Sequence, residues 1–376
     1  MKISLNTIRN IPIYLMFYIF PITALGCTIL GINKEIYDYV WIGLLGFIVF
    51  KSCFKSKLRI YRPFFIFISI ISILVCFKYV IPHLFPQQII LRAAIMDGKW
   101  VIYLLLSIMW INSYGTPTLN HIYKAGLFFS ILYIIVALIR IITGKITREG
   151  ILMESNYDGF MILMVYCFID EIKHKNKWSH WIFIFATFCT LSRTGIASLF
   201  AILFFKAAKK RPTLLLFLIP FFIIIIFIGF SIRGESAENL DRFIYFSQAF
   251  LYFQNTDIMN ILVGNTPGVS LHMPILPAFE WTISNFENMR NLNGIFPFYF
   301  HSTYLRLAFT WGVIVSMAFL IFFTKKFFST KYKPLKWFCL LTLIQSFSLS
   351  TLTLPNVSVL FFTLLILALK QEHSII

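Results

Sequence analysis

Residues 213–231 read TLLLFLIPFFIIIIFIGFS and contain no charged side chain. A helix needs about 20 apolar residues to cross a bilayer, with a lower limit near 17, so this run predicts a transmembrane helix. Comparable runs occupy 11–31, 38–53, 63–84, 122–143, 157–172, 303–324 and 335–352, and shorter ones occupy 99–113, 178–191, 194–208 and 355–369. Together they predict an all-α, polytopic membrane helix bundle of about twelve transmembrane helices, with ten or eleven as the alternative.

The composition of the 376 residues excludes several classes of protein. Apolar residues make up 59% and charged residues 13%, whereas soluble domains carry about 25% charge. Because such a chain cannot cover a soluble globule with polar groups, a soluble enzyme, a nucleic-acid-binding protein and a disordered protein are excluded. The six cysteines lie in or beside apolar runs, which indicates packing residues rather than disulfides or metal ligands.

The positions of the basic residues predict how the chain is oriented. Cytoplasmic loops of membrane proteins carry an excess of Lys and Arg. If the N-terminus is inside and the runs alternate, nearly all of the net charge of +18 falls on cytoplasmic segments, and both termini are cytoplasmic. The cytoplasmic bases are mostly Lys, whereas Arg predominates on the outer segments. Because a guanidinium can bind phosphate through two parallel hydrogen bonds, this favours anion recognition on the outer face, with chance as the alternative.

One polar segment is much longer than the others. It spans 232–300, lies on the outer side in this orientation, and carries Arg233, Arg242 and Arg290. Its part 240–253, LDRFIYFSQAFLYF, is too aromatic for a free loop and predicts an interfacial helix packed on the bundle. Glycines and prolines interrupt the sequence that follows. A connection of this length is typically functional or disordered, and its aromatic residues favour order.

Two polar side chains follow this segment at the outer end of the run 303–324. Neutral His is the commonest general base near pH 7, so His301 is a catalytic candidate, with a His that caps a membrane helix as the alternative. Arg306 lies one to two turns further along. An Arg inside a span normally faces the bundle interior or a cavity, which makes Arg306 a substrate-binding candidate, with snorkelling to the surface as the alternative.

Arg193 is the third strong candidate. It follows Ser192 at the outer start of the run 194–208, where Ser can cap a helix. A helix N-terminus adds a favourable potential for an anion, so the combination predicts a phosphate-binding position.

A further polar cluster lies near the outer ends of neighbouring spans. It comprises Arg140, Glu154 and Asn156, and the spacing of Glu154 and Asp158 predicts a shared helical face; a solvated helix end is the alternative. The sequence has no nucleotide-binding P-loop, no HExxH and no Cys–His metal spacing. It therefore predicts no cofactor, and neither an ATP-driven pump nor metal-dependent transfer is expected.

In four short features the sequence resembles the O-antigen ligase/polymerase superfamily of polytopic glycosyltransferases. The features occur in the family's order and are Glu154-Ser155-Asn156 before a span, the LSRTG turn at 191–195, Arg242 before an aromatic helix that ends at Ile261-Leu262-Val263-Gly264, and His301-Ser302 followed after nine residues by Gly312. Two departures occur: Gly264-Asn265-Thr266 stands where a Gly-x-Gly is common, and Ser316 stands where the ligase pattern prefers Gly, Thr or Tyr. With the compact loop, the second departure favours the Wzy-type polymerase over the ligase.

The resemblance implies a GT-C-like fold, with N-terminal transmembrane helices in 1–153 and a ligase/polymerase-like region in 154–376 that includes the loop 232–300. It implies transfer of a glycan from undecaprenyl diphosphate to a sugar hydroxyl of a lipid-linked repeat unit, on the outer face of the bacterial inner membrane. The expected partners are this lipid-linked oligosaccharide, membrane lipid and, optionally, a chain-length regulator, but no nucleic acid. The alternatives are an O-antigen ligase and a non-enzymatic lipid-linked oligosaccharide flippase.

The resemblance also implies roles for specific residues. His301 is the expected base, with Glu154 as the second choice, and the developing charge on the diphosphate is expected to meet arginines. The catalytic residues predicted are His301, Arg193 and Arg242, and the substrate-binding residues predicted are Arg233, Arg290, Arg306, Glu154, Asn156 and Arg140.

Overall fold

The computed structural model describes residues 5–30, 36–53, 89–144, 150–210, 241–276 and 294–375, with 213, 220 and 279 as single positions. Within these residues the chain forms helices and connections without a strand, and Leu271 and Ile295 make an isolated antiparallel bridge. By length and apolar composition, four of the described helices can cross a membrane: Leu91–Tyr114, Leu119–Ile142, Thr303–Ser329 and Pro355–Ser374. The predicted class, an all-helical membrane protein, is confirmed, whereas twelve spans and a GT-C-like fold remain predictions.

The α-helices of the described ranges are numbered here in chain order. They are α1 Leu5–Arg9, α2 Ile11–Tyr14, α3 Phe20–Leu30, α4 Ile36–Cys53, α5 Leu91–Tyr114, α6 Leu119–Ile142, α7 Ser155–Tyr166, α8 Ser179–Cys189, α9 Arg193–Lys210, α10 Asp241–Gln254, α11 Ile258–Val263, α12 Thr303–Ser329, α13 Lys333–Ser348 and α14 Pro355–Ile375. Most lie where an apolar run predicted a helix, and α10 coincides with the predicted interfacial helix. The predicted span 63–84 lies outside the described residues, and so does 213–231 apart from the single positions 213 and 220.

The exposed side chains of α6 indicate a lipid-facing surface. Ile131, Ile135, Leu138 and Ile142 are all exposed and recur at helical spacing. Because a water-soluble protein would place polar residues along such a face, this stripe is the one that lipid would cover.

The helix α12 is not the straight span that the run 303–324 predicts. Gly312 has φ +84° and ψ 164°, outside the helical region. Ser316 Oγ donates a hydrogen bond to the carbonyl of Tyr304 at 3.0 Å, whereas a straight helix would separate these residues by about 18 Å. The chain therefore folds back at Gly312, and only 313–329 remains to cross the membrane.

The helix α13 stops short of its predicted end at 352, and the non-helical link 349–354 joins it to α14. A proline at the start of α14 disfavours helix at the residue before it. The link is buried, and its backbone is held by side chains. Thr303 Oγ1 donates to the Leu349 carbonyl at 2.7 Å, and Ser350 Oγ donates to the Phe300 carbonyl at 3.0 Å. These bonds tie the link to the start of α12 and satisfy backbone groups that would otherwise be buried without partners.

The two ends of the bundle differ in chemistry. At one end, Lys206 contacts Asp170 at 2.7 Å and Lys326 contacts Glu372 at 2.6 Å; we call this the lysine end. The opposite end holds the start of α9, the start of α12 and the link 349–354, and we call it the hydroxyl end. The helix α13 runs from the lysine end to the hydroxyl end, since Lys206 lies 5.8 Å from the ring centre of Trp337 near its start.

Candidate functional site

Arg193 begins α9 directly after a sharp turn. Leu191 has φ +52°, a left-handed conformation that is uncommon for residues other than glycine. Ser192 then acts as the N-cap, because its Oγ accepts the backbone N–H of Gly195 at 3.0 Å. The predicted helix start is confirmed, and the half-buried Arg193 lies among the N–H groups of the first helical turn.

His301 lies at the start of α12 and is half-buried. The next residue, Ser302, is the N-cap of α12 and also donates to the Ser346 carbonyl at 3.2 Å, which fixes the chain beside the end of α13. The imidazole of His301 lies 6.2 Å from the ring of Tyr245, between ring centres. The ring of His301 thus lies near α10, and the chain that carries it is fixed to α13 through Ser302.

Contacts with α13 place Arg193 and His301 at the same end of the bundle. Ser198, one to two turns after Arg193 on α9, accepts a hydrogen bond from Gln345 Nε2 at 3.0 Å. The residue after His301 donates to the carbonyl of Ser346, which directly follows Gln345. Both candidates therefore lie at the hydroxyl end, as the predicted orientation requires.

The helix α10 lies across the same end and brings Arg242 to it. Arg242 is in the first turn of α10, and Phe246, one turn later, stacks on Phe347 with ring centres 4.5 Å apart. Because Phe347 is close to the end of α13, the start of α10 also lies at the hydroxyl end. The other two arginines predicted in the long loop, Arg233 and Arg290, lie outside the described residues.

Two glycines of the predicted motifs meet in a close contact that we call the glycine junction. It is formed by 262–265 and by 309–312. A Cβ atom on Gly312 would lie 2.0 Å from the carbonyl oxygen of Leu262, and one on Gly264 would lie 2.5 Å from the backbone nitrogen of Gly312. The carbonyl of Phe309 accepts hydrogen bonds from the backbone N–H of Asn265 at 2.7 Å and from its Nδ2 at 3.0 Å. The long loop is therefore fastened to the bend in α12.

A tyrosine extends this junction to α10. Tyr252 donates its hydroxyl to Asn265 Oδ1 at 2.6 Å, and Phe253 stacks on Phe309 with ring centres 5.0 Å apart. Burial raises the pKa of Tyr252, so the hydroxyl stays protonated and remains a donor near neutral pH. The helix that carries Arg242 is in this way connected to the helix that begins beside His301.

Arg306 faces the interior of the bundle, as predicted, although it lies on 303–311, before the part of α12 that remains to cross the membrane. Its Nη1 donates to Thr353 Oγ1 at 2.7 Å, and its Nη2 donates to the Met96 carbonyl at 3.3 Å. The same Nη2 lies 3.7 Å from Asp97 Oδ1, and the Asp97 side chain is completely buried. The guanidinium thus joins α12 to α5 and to the link 349–354 through protein contacts.

A small cavity lies beside this ion pair. Its volume of about 10 Å³ is roughly the room that one water molecule requires. The residues that line it are Asp97, Trp100, Thr303, Arg306, Leu307, Thr310, Trp311, Ser350, Leu352 and Thr353. Since Thr303 follows His301 by two residues, the cavity is close to the candidate base.

The predicted cluster around Glu154 is arranged differently from the expectation. Glu154 and Asp158 do not share an exposed face, because Asp158 is completely buried and its Oδ2 accepts the backbone N–H of Ile151 at 2.6 Å. Glu154 is the N-cap residue of α7 and accepts a hydrogen bond from Asn156 Nδ2 at 2.6 Å. The carboxylate of Asp158 holds the turn before α7, which is why it is drawn inward. Arg140, also predicted, lies half-buried in the last turn of α6.

Sequence reasoning missed Asp97 and Asn265. Asp97 precedes the predicted run 99–113, but it lies within α5, of which it is the one acidic residue. An acidic residue within an apolar helix was the signal that could have identified it. In the described part of the chain, no three His, Cys, Asp or Glu side chains gather as metal ligands.

No protein-family model matches the chain, and no curated protein matches it significantly. The resemblance to the O-antigen ligase/polymerase superfamily therefore rests on the four short features and on where they lie in the structure.

Proposed function

We propose that the chain is a membrane glycosyltransferase of the O-antigen polymerase type. In this proposal it transfers a glycan from an undecaprenyl diphosphate donor to a sugar hydroxyl of a second lipid-linked repeat unit. The observation that carries the proposal is the convergence of separate motifs at the hydroxyl end: Arg193 and His301 approach the same end of α13, and Gly264 packs on Gly312.

The chemistry of the reaction suits these residues. The acceptor hydroxyl attacks the anomeric carbon, its proton passes to the His301 imidazole, and the electron pair of the breaking C–O bond passes to the diphosphate. Negative charge grows on the phosphate oxygens, where Arg193 and the N–H groups of the α9 start provide a positive potential. Arg242 is the second phosphate-binding candidate because its guanidinium can bind two oxygens at once. The diphosphate is a good leaving group, so the proposal requires no nucleotide.

The orientation follows from charge. In the proposal the lysine end faces the cytoplasm, as an excess of lysine requires, and the hydroxyl end faces the outside of the bacterial inner membrane. Both termini are then cytoplasmic. The lipid tail of the donor would lie against the apolar outer surface of the bundle.

The proposal is tested by reconstitution. Purified protein in proteoliposomes is given lipid-linked oligosaccharides, extracted from the source cells, on the outside only, and the products are resolved as a ladder on a gel. We expect a ladder from wild-type protein and no ladder from His301→Ala or Arg193→Ala, although both variants insert. His180→Ala, which changes a His at the lysine end, is the matched control and should retain the ladder. Normal ladders from the two site variants would refute the assigned roles.

Two alternatives have different outcomes. In cells, loss of a polymerase leaves single repeat units on the lipid A core, whereas loss of a ligase leaves none. A flippase would produce no new glycosidic bond in the proteoliposomes. The departure at Ser316 favours the polymerase over the ligase, and product formation from substrate supplied outside would exclude the flippase.

A further inference from the structure

The Asp97–Arg306 ion pair is the most deeply buried pair of opposite charges in the described part of the chain. The Asp97 side chain is 0% exposed and the Arg306 side chain 11%, whereas in the pair between Lys99 of α5 and Asp38 of α4 the side chains are 10% and 35% exposed. Burying two charges is costly, and leaving one of them without its partner is far more so. A pair in this position therefore requires a structural or functional reason.

The contacts of Arg306 define what the pair holds together. Arg306 lies on 303–311, the short segment between the Ser302 cap and the bend at Gly312. Its guanidinium is bonded to Thr353 in the link and to Met96 in α5, and it pairs with Asp97. These contacts occupy both terminal nitrogens of the guanidinium. Arg306 is consequently directed at the protein rather than outward at a substrate.

The segment that Arg306 anchors is the one that begins beside His301. Thr303 Oγ1 bonds the Leu349 carbonyl at 2.7 Å and lies 2.8 Å from Thr351 Oγ1, so the start of the segment is also fixed to the link. The pair with Asp97 fixes the opposite side of the segment to α5. Without Asp97, the bond from Arg306 to the Met96 carbonyl is the side-chain hydrogen bond that still joins this short helix to α5 in the described part of the chain, and its other bonds lead to the link, to α13 and to Asn265.

We propose that Asp97 is a positioning residue that, through Arg306, holds the segment 303–311 and thereby the His301 side chain in place for transfer. This extends the ligase/polymerase-like region to a residue of α5, in the N-terminal part of the chain. The expected loss of kcat rests on the proposed function. The expected rise in amide exchange of the segment can be measured without that function.

The test combines kinetics with hydrogen–deuterium exchange in nanodiscs. Asp97→Asn and Arg306→Gln each leave one buried charge without a partner, so both should raise amide exchange across 301–311. Each should also lower kcat by roughly 100-fold with little change in KM, because a displaced base slows the chemical step. The double variant lacks the pair altogether, and because Asp97 acts through Arg306, adding Asp97→Asn to Arg306→Gln should produce no further rise in exchange and no further loss of kcat.

The control is Asp38→Asn. It removes the carboxylate of the other ion pair on α5 and should change neither the exchange of 301–311 nor kcat. Unchanged exchange in both single variants, or a double variant whose effects are the sum of the two single effects, would overturn the inference. If Asp97→Asn fails to insert, the double variant decides: a segment as mobile as in Arg306→Gln supports the positioning role, and a segment as protected as in the wild type contradicts it. If wild-type protein transfers no glycan, the proposed function fails, while the exchange data still decide the positioning role.

Discussion

Replacing Gly312 with Ala should prevent the fold-back of α12. The new Cβ atom would lie 2.0 Å from the carbonyl oxygen of Leu262 and 2.7 Å from the carbonyl carbon of Val263. Both neighbours are backbone atoms, so no side-chain rotation can relieve the clash. The substitution forces either a shift of 262–265 or an opening of the bend.

The cost of Gly312→Ala has two sources. Backbone with φ +84° and ψ 164° is essentially restricted to glycine, and another residue there lowers the free energy of unfolding by about 1–3 kcal/mol. A shift of the loop would also break the two hydrogen bonds from Asn265 to the Phe309 carbonyl, each worth about 1 kcal/mol. The expected loss is therefore about 3–5 kcal/mol. This is a large part of the 5–15 kcal/mol by which folded proteins are commonly stable.

Gly115 provides a matched control for the backbone strain alone. It ends α5 with φ +87° and ψ 170°, nearly the same conformation as Gly312, but no atom lies within 4 Å of the position its Cβ would take. Gly115→Ala should thus cost only the backbone strain, about 1–3 kcal/mol. The difference between the losses of stability in the two variants measures how much the close contact at the glycine junction contributes.

Two assays follow the effect of Gly312→Ala. Thermal unfolding in detergent reports the loss of stability, and a disulfide between cysteines placed at 304 and 316, in a background without the six native cysteines, reports the bend. With Gly312 present, Ser316 Oγ lies 3.0 Å from the Tyr304 carbonyl, so this cross-link should form. In Gly312→Ala it should form slowly or not at all. Equal melting of the Gly312 and Gly115 variants together with an unchanged cross-link would refute the reasoning.

Two further predictions concern other parts of the molecule. Asn265→Ala removes the Nδ2 bond to the Phe309 carbonyl and the bond that Oδ1 accepts from the Tyr252 hydroxyl, and should lower the unfolding free energy by about 1–2 kcal/mol, whereas an unchanged melting curve would contradict the role of this side chain. At the lysine end, burial by itself raises the pKa of Asp170, but Lys206, His180 and Lys175 together outweigh it and lower that pKa. The carboxylate therefore stabilises the folded state above its ordinary pKa of about 4, and this contribution is lost as the pH falls through the lowered value. Asp170→Asn should flatten the acid side of a stability–pH curve, and an identical curve would contradict the assignment.

Hydrophobic runs predicted the helices well because a lipid-facing helix needs little else. The helices α8 and α9 begin within a residue or two of the predicted runs 178–191 and 194–208. The charge pattern also predicted that Arg193 and His301 share an end, since the chain must alternate between the two ends. These are properties of local sequence and of connectivity, and both can be read without knowing any tertiary contact.

The departures from helix could not be read in the same way. The apolar run 303–324 continues through Gly312, and the sequence of α12 gives no sign that Leu262, fifty residues earlier, approaches that glycine. The burial of Asp97 depends likewise on Arg306, which lies more than 200 residues later. Tertiary contacts decide such features, and periodicity carries no information about them.

The departures are concentrated at one end, and this has a physical meaning. The left-handed Leu191, the bend at Gly312 and the link 349–354 all belong to the hydroxyl end. Non-helical backbone in a membrane protein is tolerated where it is buried in protein or lines a cavity, because lipid offers no hydrogen bonds. Here the Ser and Thr hydroxyls of the link and of α12 supply those bonds, a requirement that a straight helical bundle would not have. Broken helices of this kind place backbone groups and helix ends where a polar ligand can reach them. The proposed transfer site at His301 and Arg193 accordingly lies at the end of the bundle where the backbone departs from regular helix.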